Sequence, residues 1–99
     1  MKPLRIEDEA EEELKAAADY YEDKRLGLGL LFEEKIREAF QRIQTNPGLF
    51  PFYKKTPVQK CLVDQFPYLV FYREFDPHIS IVAVAHGRRR PGYWRKRTR

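Results

Sequence analysis

The sequence predicts an α+β domain in which an N-terminal helical hairpin packs on one face of a small antiparallel β-sheet, in the order (β)ααβββ. Two segments in the first half repeat apolar residues with a helical period, and three apolar segments in the second half have the composition of strands. Short turns separate these strands, so consecutive strands are expected to pair as an antiparallel meander. The 99 residues suffice for one such domain, spanning residues 1–99.

The two helices are predicted at about residues 7–25 and 28–45. Gly27 and Gly29 separate them, and Pro47 ends the second helix because proline disfavours helical geometry in the residue before it. Each helix carries a single apolar stripe, which implies that the two share one buried face. The first stripe consists of Ala10, Leu14, Ala17, Ala18 and Tyr21, and the second of Phe32, Ile36, Ala39, Phe40 and Ile43.

The strands are predicted from residue types and turns. Residues 58–63, 68–75 and 78–85 are rich in β-branched or aromatic side chains, and residues 76–78 suit a type I turn with proline in its second position. Residues 3–6 are apolar enough for a short edge strand but too few for a firm pattern. The helices are expected to cover one face of the resulting sheet.

Charge is distributed unevenly along the chain. Residues 1–50 carry a formal charge of −4 and residues 51–99 a charge of +8, which sum to the net charge of +4. Such asymmetry predicts that the basic half meets an anionic partner. The acidic half includes four glutamates of the first helix that are expected to face solvent, Glu9, Glu11, Glu12 and Glu13.

The densest positive charge lies in the C-terminal segment 88–99, where seven of twelve residues are Arg or Lys and none is acidic. Crowded cations repel one another and are not expected to contribute to a core, so they favour contact with phosphate or an acidic protein surface. A disordered solubilising tail is the alternative. The adjacent aromatics Tyr93 and Trp94 argue against it, because solvated tails rarely contain such pairs.

Candidate catalytic residues are few. His86, at the end of the last strand, suits either a general base or a half-buried histidine bonded to backbone. Cleavage of RNA without a metal requires a base, cations and a proton donor, which Lys60, Arg73, His86, Arg88, Arg89 and Tyr93 could together supply. One cysteine and two histidines at no ligand spacing predict no metal site and no cofactor.

The single Cys61 excludes an internal disulfide and is expected to be a reduced, buried side chain. The first residues contain no apolar stretch typical of a secretory signal, and no apolar run approaches the length of a membrane span. A cytoplasmic protein without membrane contact is therefore expected.

Several motifs, taken in their order along the chain, resemble the RelE/ParE superfamily of toxins from type II toxin–antitoxin modules, also known as plasmid stabilisation modules. The similarity extends over about residues 7–97 and is closest to the ParE branch. The motifs that carry it are Tyr20-Tyr21-Glu22, Gly27-Leu28-Gly29, Phe32, Asn46-Pro47-Gly48-Leu49-Phe50-Pro51, Phe66-Pro67-Tyr68-Leu69-Val70-Phe71-Tyr72-Arg73 and Val84-Ala85-His86-Gly87-Arg88-Arg89-Arg90-Pro91 with Trp94 and Arg95.

This resemblance implies a helical hairpin on an antiparallel sheet and a cognate antitoxin that wraps across the toxin in a hetero-oligomer. ParE-type members poison DNA gyrase, whereas RelE-type members cut mRNA on the ribosome. RelE-type members have an arginine near the start of the third strand, where this chain has Leu69. Arg88 corresponds to a later RelE-type arginine, and the terminal tyrosine of that type corresponds to Tyr93 or Trp94. The resemblance thus favours a non-catalytic gyrase inhibitor.

Two alternatives remain from the sequence alone. One is a ribosome-dependent endoribonuclease that uses Lys60, Arg73, His86, Arg88 and Tyr93, and the other is a non-toxic remnant that only binds a partner. In each case the candidate contact residues for target or antitoxin are Arg88, Arg89, Arg90, Tyr93, Trp94, Arg95 and Arg97.

Overall fold

The computed structural model describes residues 1–98 and confirms the α+β prediction and the order βααβββ. The elements are β1 (Leu4–Ile6), α1 (Asp8–Lys24), α2 (Leu28–Thr45), β2 (Gln59–Leu62), β3 (Tyr68–Glu74) and β4 (Ile79–His86), followed by a C-terminal 3₁₀ helix at Tyr93–Thr98. No helix within residues 1–98 is long and apolar enough to span a membrane.

The helical hairpin is closed by a tight turn around Gly27, whose φ of 88° lies in the left-handed region that favours glycine. The Glu22 carboxylate accepts hydrogen bonds from the backbone N–H groups of Gly27 and Gly29, at 2.8 and 2.9 Å. Gly29 also lets the helices approach closely, because a Cβ atom built there would lie 2.5 Å from the Ala18 carbonyl oxygen. The turn therefore sets both the direction and the spacing of α1 and α2.

The sheet has the strand order β1-β4-β3-β2. β2, β3 and β4 form the predicted antiparallel meander, whereas β1 pairs parallel to β4 over Ile79–Ile81, so the sheet is mixed, which the sequence-based prediction of an antiparallel sheet did not include. A three-residue edge strand takes its direction from its hydrogen-bonding partner and not from its own pattern. Its sequence therefore carries no information on direction.

The free edge of the sheet is β2, and its outward backbone groups are partly occupied. Lys60 N–H donates to the Pro51 carbonyl at 3.0 Å, and Arg42 Nη2 donates to the Leu62 carbonyl at 2.9 Å. Between them Cys61 points inward and is fully buried, as predicted. Burial raises the pKa of its thiol, an effect that nearby Arg42 opposes only in part.

Both faces of the sheet are covered, which explains why β4 is buried at every position from Ile79 to Ala85. One face packs on the helical hairpin, as predicted. The other packs on the C-terminal segment. Trp94, which lies within this basic segment, belongs to a second core, because its indole covers apolar side chains on the face of the sheet that the helices leave open. The second core consists of Tyr53, Val58, Phe71, Val82, Ala83, Ala85 and Trp94.

Candidate functional site

The basic C-terminal segment is held on the helix-free face of the sheet by Trp94. Only 1% of this side chain is exposed, and its ring centroid lies 5.0 Å from that of Phe71 and 5.1 Å from that of Tyr53. Aromatic contacts at this spacing are favourable beyond the area they bury. Trp94 was predicted to contact a target or an antitoxin, and the structure places it as the internal anchor of the segment.

Glu13 forms the second anchor. Its Oε1 accepts hydrogen bonds from the Val84 N–H at 3.1 Å and from Arg97 Nη1 at 3.0 Å, and its Oε2 accepts them from the Tyr93 hydroxyl and from Arg97 Nη2 at 3.1 Å. Arg89 also approaches this carboxylate, with its Nη1 at 3.6 Å from Oε2. One carboxylate of α1 thus binds β4 and the C-terminal segment together.

The prediction that Glu13 faces solvent is wrong, since only 13% of its side chain is exposed. The sequence did contain a signal. Glu13 follows Ala10 by three residues and precedes Ala17 by four, so it lies within the apolar stripe of α1. A glutamate in that position predicts a buried carboxylate with cationic partners elsewhere in the chain, and sequence reasoning missed it by treating all four glutamates alike.

Burial and the contact with Glu13 shift the pKa values of two groups in the segment, Tyr93 and Arg97. Burial, and then the hydrogen bond to Glu13, raise the pKa of Tyr93 well above that of a free tyrosine. For Arg97 burial acts to lower the pKa, but the hydrogen bond and charge of Glu13 outweigh it and the net shift is upward. Both shifts reinforce the states that tyrosine and arginine already have near neutral pH, so that Tyr93 is neutral and Arg97 is charged.

A pocket of about 180 Å³ lies between the C-terminal segment and the strands. Its apolar floor includes Leu69 and Phe71, and the side chains around it carry positive charge without any carboxylate among the lining residues. The basic or protonatable groups that line it are Lys60, His86, Arg89 and Arg90. A concave site lined by one sign of charge attracts anionic groups such as phosphates and carboxylates.

The predicted ribonuclease set is only partly brought together. Lys60, His86 and Tyr93 line the pocket, but Arg73 and Arg88 do not. Arg73 lies at another cavity, stacked 4.7 Å from the Phe75 ring centroid. The Tyr93 hydroxyl already donates to Glu13.

His86 is half-buried at the end of β4, and its Nδ1 accepts a hydrogen bond from the Arg88 N–H at 3.0 Å. Its ring centroid lies 5.3 Å from that of Tyr68 in an edge-on arrangement. His86 therefore has the geometry of the second alternative from the sequence, a half-buried histidine bonded to backbone. The contact orients the ring and shapes the turn that leads from β4 into the basic segment.

The remaining candidate residues present an outward cationic surface. The side chains that the structure exposes on it are Arg88, Arg89, Arg90, Arg95 and Lys96, whereas Arg97 turns inward to Glu13. Tyr53, which sequence reasoning did not single out, supports this surface: Lys54 and Arg95 stack on its ring at 5.5 and 5.7 Å. The buried Trp94 indole and the largely buried Glu13 carboxylate thus hold a cluster of solvent-exposed cations.

Among residues 1–98 no three His, Cys, Asp or Glu side chains are grouped as a metal site would require. The arrangement is one of fixed positive charge on a rigid sheet. Such an arrangement suits contact with an anionic surface.

The chain resembles known proteins in both sequence and structure. The model of one protein family, described as the ParE toxin of the type II toxin–antitoxin system parDE, matches residues 4–91. No curated protein sequence matches the chain. Among solved structures, a chain of a chromosomal ParDE toxin–antitoxin system from P. aeruginosa superposes with a TM-score of 0.74 at 21% sequence identity, over 87% of this chain and 96% of that one. Because the sequence identity is only 21%, this structural match shows that the two proteins share a fold and nothing more.

Proposed function

The chain belongs to the ParE toxin family of type II toxin–antitoxin systems, and we propose that it inhibits growth by binding DNA gyrase and stabilising the state in which gyrase has cleaved DNA. Its contact surface is the basic rim of the pocket on the helix-free face, together with the exposed cations of the C-terminal segment. The action is stoichiometric binding and not hydrolysis.

The observation that supports a non-catalytic action is the state of Tyr93. In a metal-independent ribonuclease this tyrosine would donate a proton to the leaving oxygen, but its hydroxyl is committed to Glu13 and burial raises its pKa. Arg73 and Arg88, two of the candidate cations for the developing phosphorane charge, lie outside the pocket, although Lys60 and Arg89 line it. What remains is a fixed basic surface without a free acid at its centre.

A cognate antitoxin is the second partner that we propose. The similar solved structure from P. aeruginosa is that of a ParDE toxin–antitoxin system. The basic half of this chain favours an antitoxin segment rich in Asp or Glu, with apolar anchors for the exposed Leu62 and Leu49 beside the free sheet edge. The association rate of such a pair falls as salt is raised. Complex formation that is insensitive to salt would contradict the electrostatic part of this proposal.

The test is a DNA-cleavage assay with the purified chain, gyrase, ATP and supercoiled plasmid, in which we expect linear DNA that depends on the chain. The double variant Lys60→Gln with Arg90→Gln removes two charges from the pocket rim and should lower the apparent affinity on the order of tenfold or more. Arg5→Gln with Arg37→Gln removes two exposed charges on β1 and α2 and serves as the matched control. Absence of linear DNA with folded protein would contradict the proposal.

A ribosome-dependent endoribonuclease is the second candidate, favoured by the presence of Lys60, His86 and Tyr93 at one pocket. Incubation of the chain with programmed ribosomes and mapping of the mRNA ends distinguishes the two. Cleavage that is lost in His86→Ala, together with no effect on gyrase, would establish the enzyme. Intact mRNA together with linear plasmid would exclude it.

A further inference from the structure

We infer that Glu13 is the positioning residue of the target-binding surface: this one buried carboxylate on α1 determines whether the basic C-terminal segment is docked and therefore where its free cations lie. The inference rests on the proposed function for its consequence at the target. Its structural part concerns the docked state of the segment and is measurable without any target.

Glu13 and Arg97 occupy the edge of β4 that β1 leaves unpaired. β1 pairs with β4 only over Ile79–Ile81, and within residues 1–98 no strand neighbours the edge beyond that point. There Glu13 Oε1 accepts the Val84 N–H at 3.1 Å, and Arg97 Nη1 donates to the Val82 carbonyl at 3.1 Å. The two side chains take the place of the missing strand, because each satisfies one of the edge's backbone groups.

The ion pair between Glu13 and Arg97 is largely buried. The exposed fractions of the Glu13 and Arg97 side chains are 13% and 17%, and the two are joined by two parallel N–H to O contacts. Removing one partner of a buried, hydrogen-bonded ion pair costs several times more than breaking an exposed one, because the remaining charge is left without compensation. Without the carboxylate, the Arg97 guanidinium is more stable in water, and the segment leaves the sheet with it.

Glu13 contacts the segment at two points along the 3₁₀ helix. Tyr93 and Arg97 lie near the two ends of the 3₁₀ helix, and both bind the same carboxylate. Trp94, between them, is buried, whereas Arg95 and Lys96 are exposed. Because both ends are fixed to one atom group, the carboxylate sets the rotation of the helix. The rotation in turn decides which cations face outward.

The experiment uses Trp94, the only tryptophan of the chain, as the reporter of docking. In the full chain carrying Glu13→Gln we expect a red shift of tryptophan emission and a severalfold increase in quenching by acrylamide, while the far-ultraviolet circular dichroism of α1 and α2 is retained. The matched control is Glu12→Gln, which makes the same change of charge one residue earlier at an exposed position. It should leave emission and quenching unchanged.

Conservative rescue separates positioning from a general effect on folding. Glu13→Asp keeps the charge and should restore most of the native emission. In the gyrase assay Glu13→Gln should need on the order of a hundredfold more protein for the same cleavage, and Glu13→Asp much less. If Glu13→Gln does not fold, Tyr93→Phe, which removes one contact and keeps the ion pair, is measured for a smaller shift in the same direction.

Native emission and quenching in a folded Glu13→Gln chain would overturn the inference, whatever the gyrase result. An undocked segment together with undiminished gyrase cleavage would overturn the role at the target. If the wild-type chain has no effect on gyrase, the proposed function fails, but the fluorescence comparison still decides whether Glu13 holds the segment.

Discussion

The two faces of the sheet bury the same strands through different means. Two long helices cover the first face with a large apolar cluster around Phe32, Ile36 and Ile43. On the second face the C-terminal segment buries Trp94 beside Tyr53 and Val58, and it is bound to the Glu13 carboxylate of α1. Truncating a side chain in the continuous apolar cluster lowers the free energy of unfolding in proportion to the atoms removed. A segment held by two contacts, in contrast, is expected to detach when either contact is lost. The first face therefore holds the fold, and the second holds a surface that is able to open locally.

The largest effect is expected in the first core. Phe32 is fully buried, and its ring centroid lies within 5.3 Å of those of Tyr21, Phe66 and Tyr68. Phe32→Ala should lower the free energy of unfolding by about 3–5 kcal/mol. Urea denaturation followed by circular dichroism measures the loss. Leu30→Ala, which truncates a side chain that is 70% exposed, should change stability little, and an equal loss in both would contradict the assignment of the core.

Trp94→Ala should cost somewhat less, about 3 kcal/mol at most, because the segment is able to detach and leave the helical face intact. Amide hydrogen exchange distinguishes the two cases by position. We expect faster exchange in the 3₁₀ helix and at Val84, with α2 still protected. Equal loss of protection in α2 would show that the two faces unfold as one unit.

Gly29→Ala tests the closeness of the helices over the first face. The added Cβ would lie 2.5 Å from the Ala18 carbonyl, so the helices must separate, and we expect a loss of about 1–3 kcal/mol. Gly48→Ala is the control, since nothing lies within 4 Å of a Cβ at that position and its φ is not in the left-handed region. Thermal denaturation of the two variants compares them directly, and identical melting temperatures would contradict the tight crossing.

The smallest effect near neutral pH is the titration of Tyr93. Because its pKa is raised in the folded chain, the stability contributed by the neutral hydroxyl is complete below about pH 10 and is lost as pH rises further towards the folded pKa. We expect a flat free energy of unfolding from about pH 7 to 9 and a decline above it. Tyr93→Phe should decline less steeply. Since Tyr72 also has a raised pKa from burial, part of the decline should persist in that variant.

Features that neighbouring residues determine could be predicted from the sequence, whereas features that depend on residues far apart in the chain could not. The helices, their turn and the meander follow from local periodicity, and Gly27 and Pro47 mark boundaries that the structure reproduces to within a residue or two. The basic segment was identified by composition alone. The direction of β1 was not predictable, because the hydrogen bonds that determine it come from β4, more than seventy residues away.

The candidate site was predicted as a list of residues and not as an arrangement. The burial of Trp94 depends on Tyr53 and Phe71, which no local pattern connects with it. Glu13 is a different case, since its place within the apolar stripe of α1 was visible in the sequence. Its partners Tyr93 and Arg97 lie about eighty residues further on, and only the folded chain identifies them.

The partly occupied edge of β2 limits edge-to-edge association between copies of the chain. Unpaired edge strands invite edge-to-edge association, and proteins limit it with short strands and with side chains that block the backbone groups. Here the strand has four residues, and the Arg42 guanidinium and the Pro51 carbonyl fill two of the outward positions. The same contacts disfavour fibre-like stacking of toxin molecules. Any partner that adds a strand at this edge must first displace Arg42.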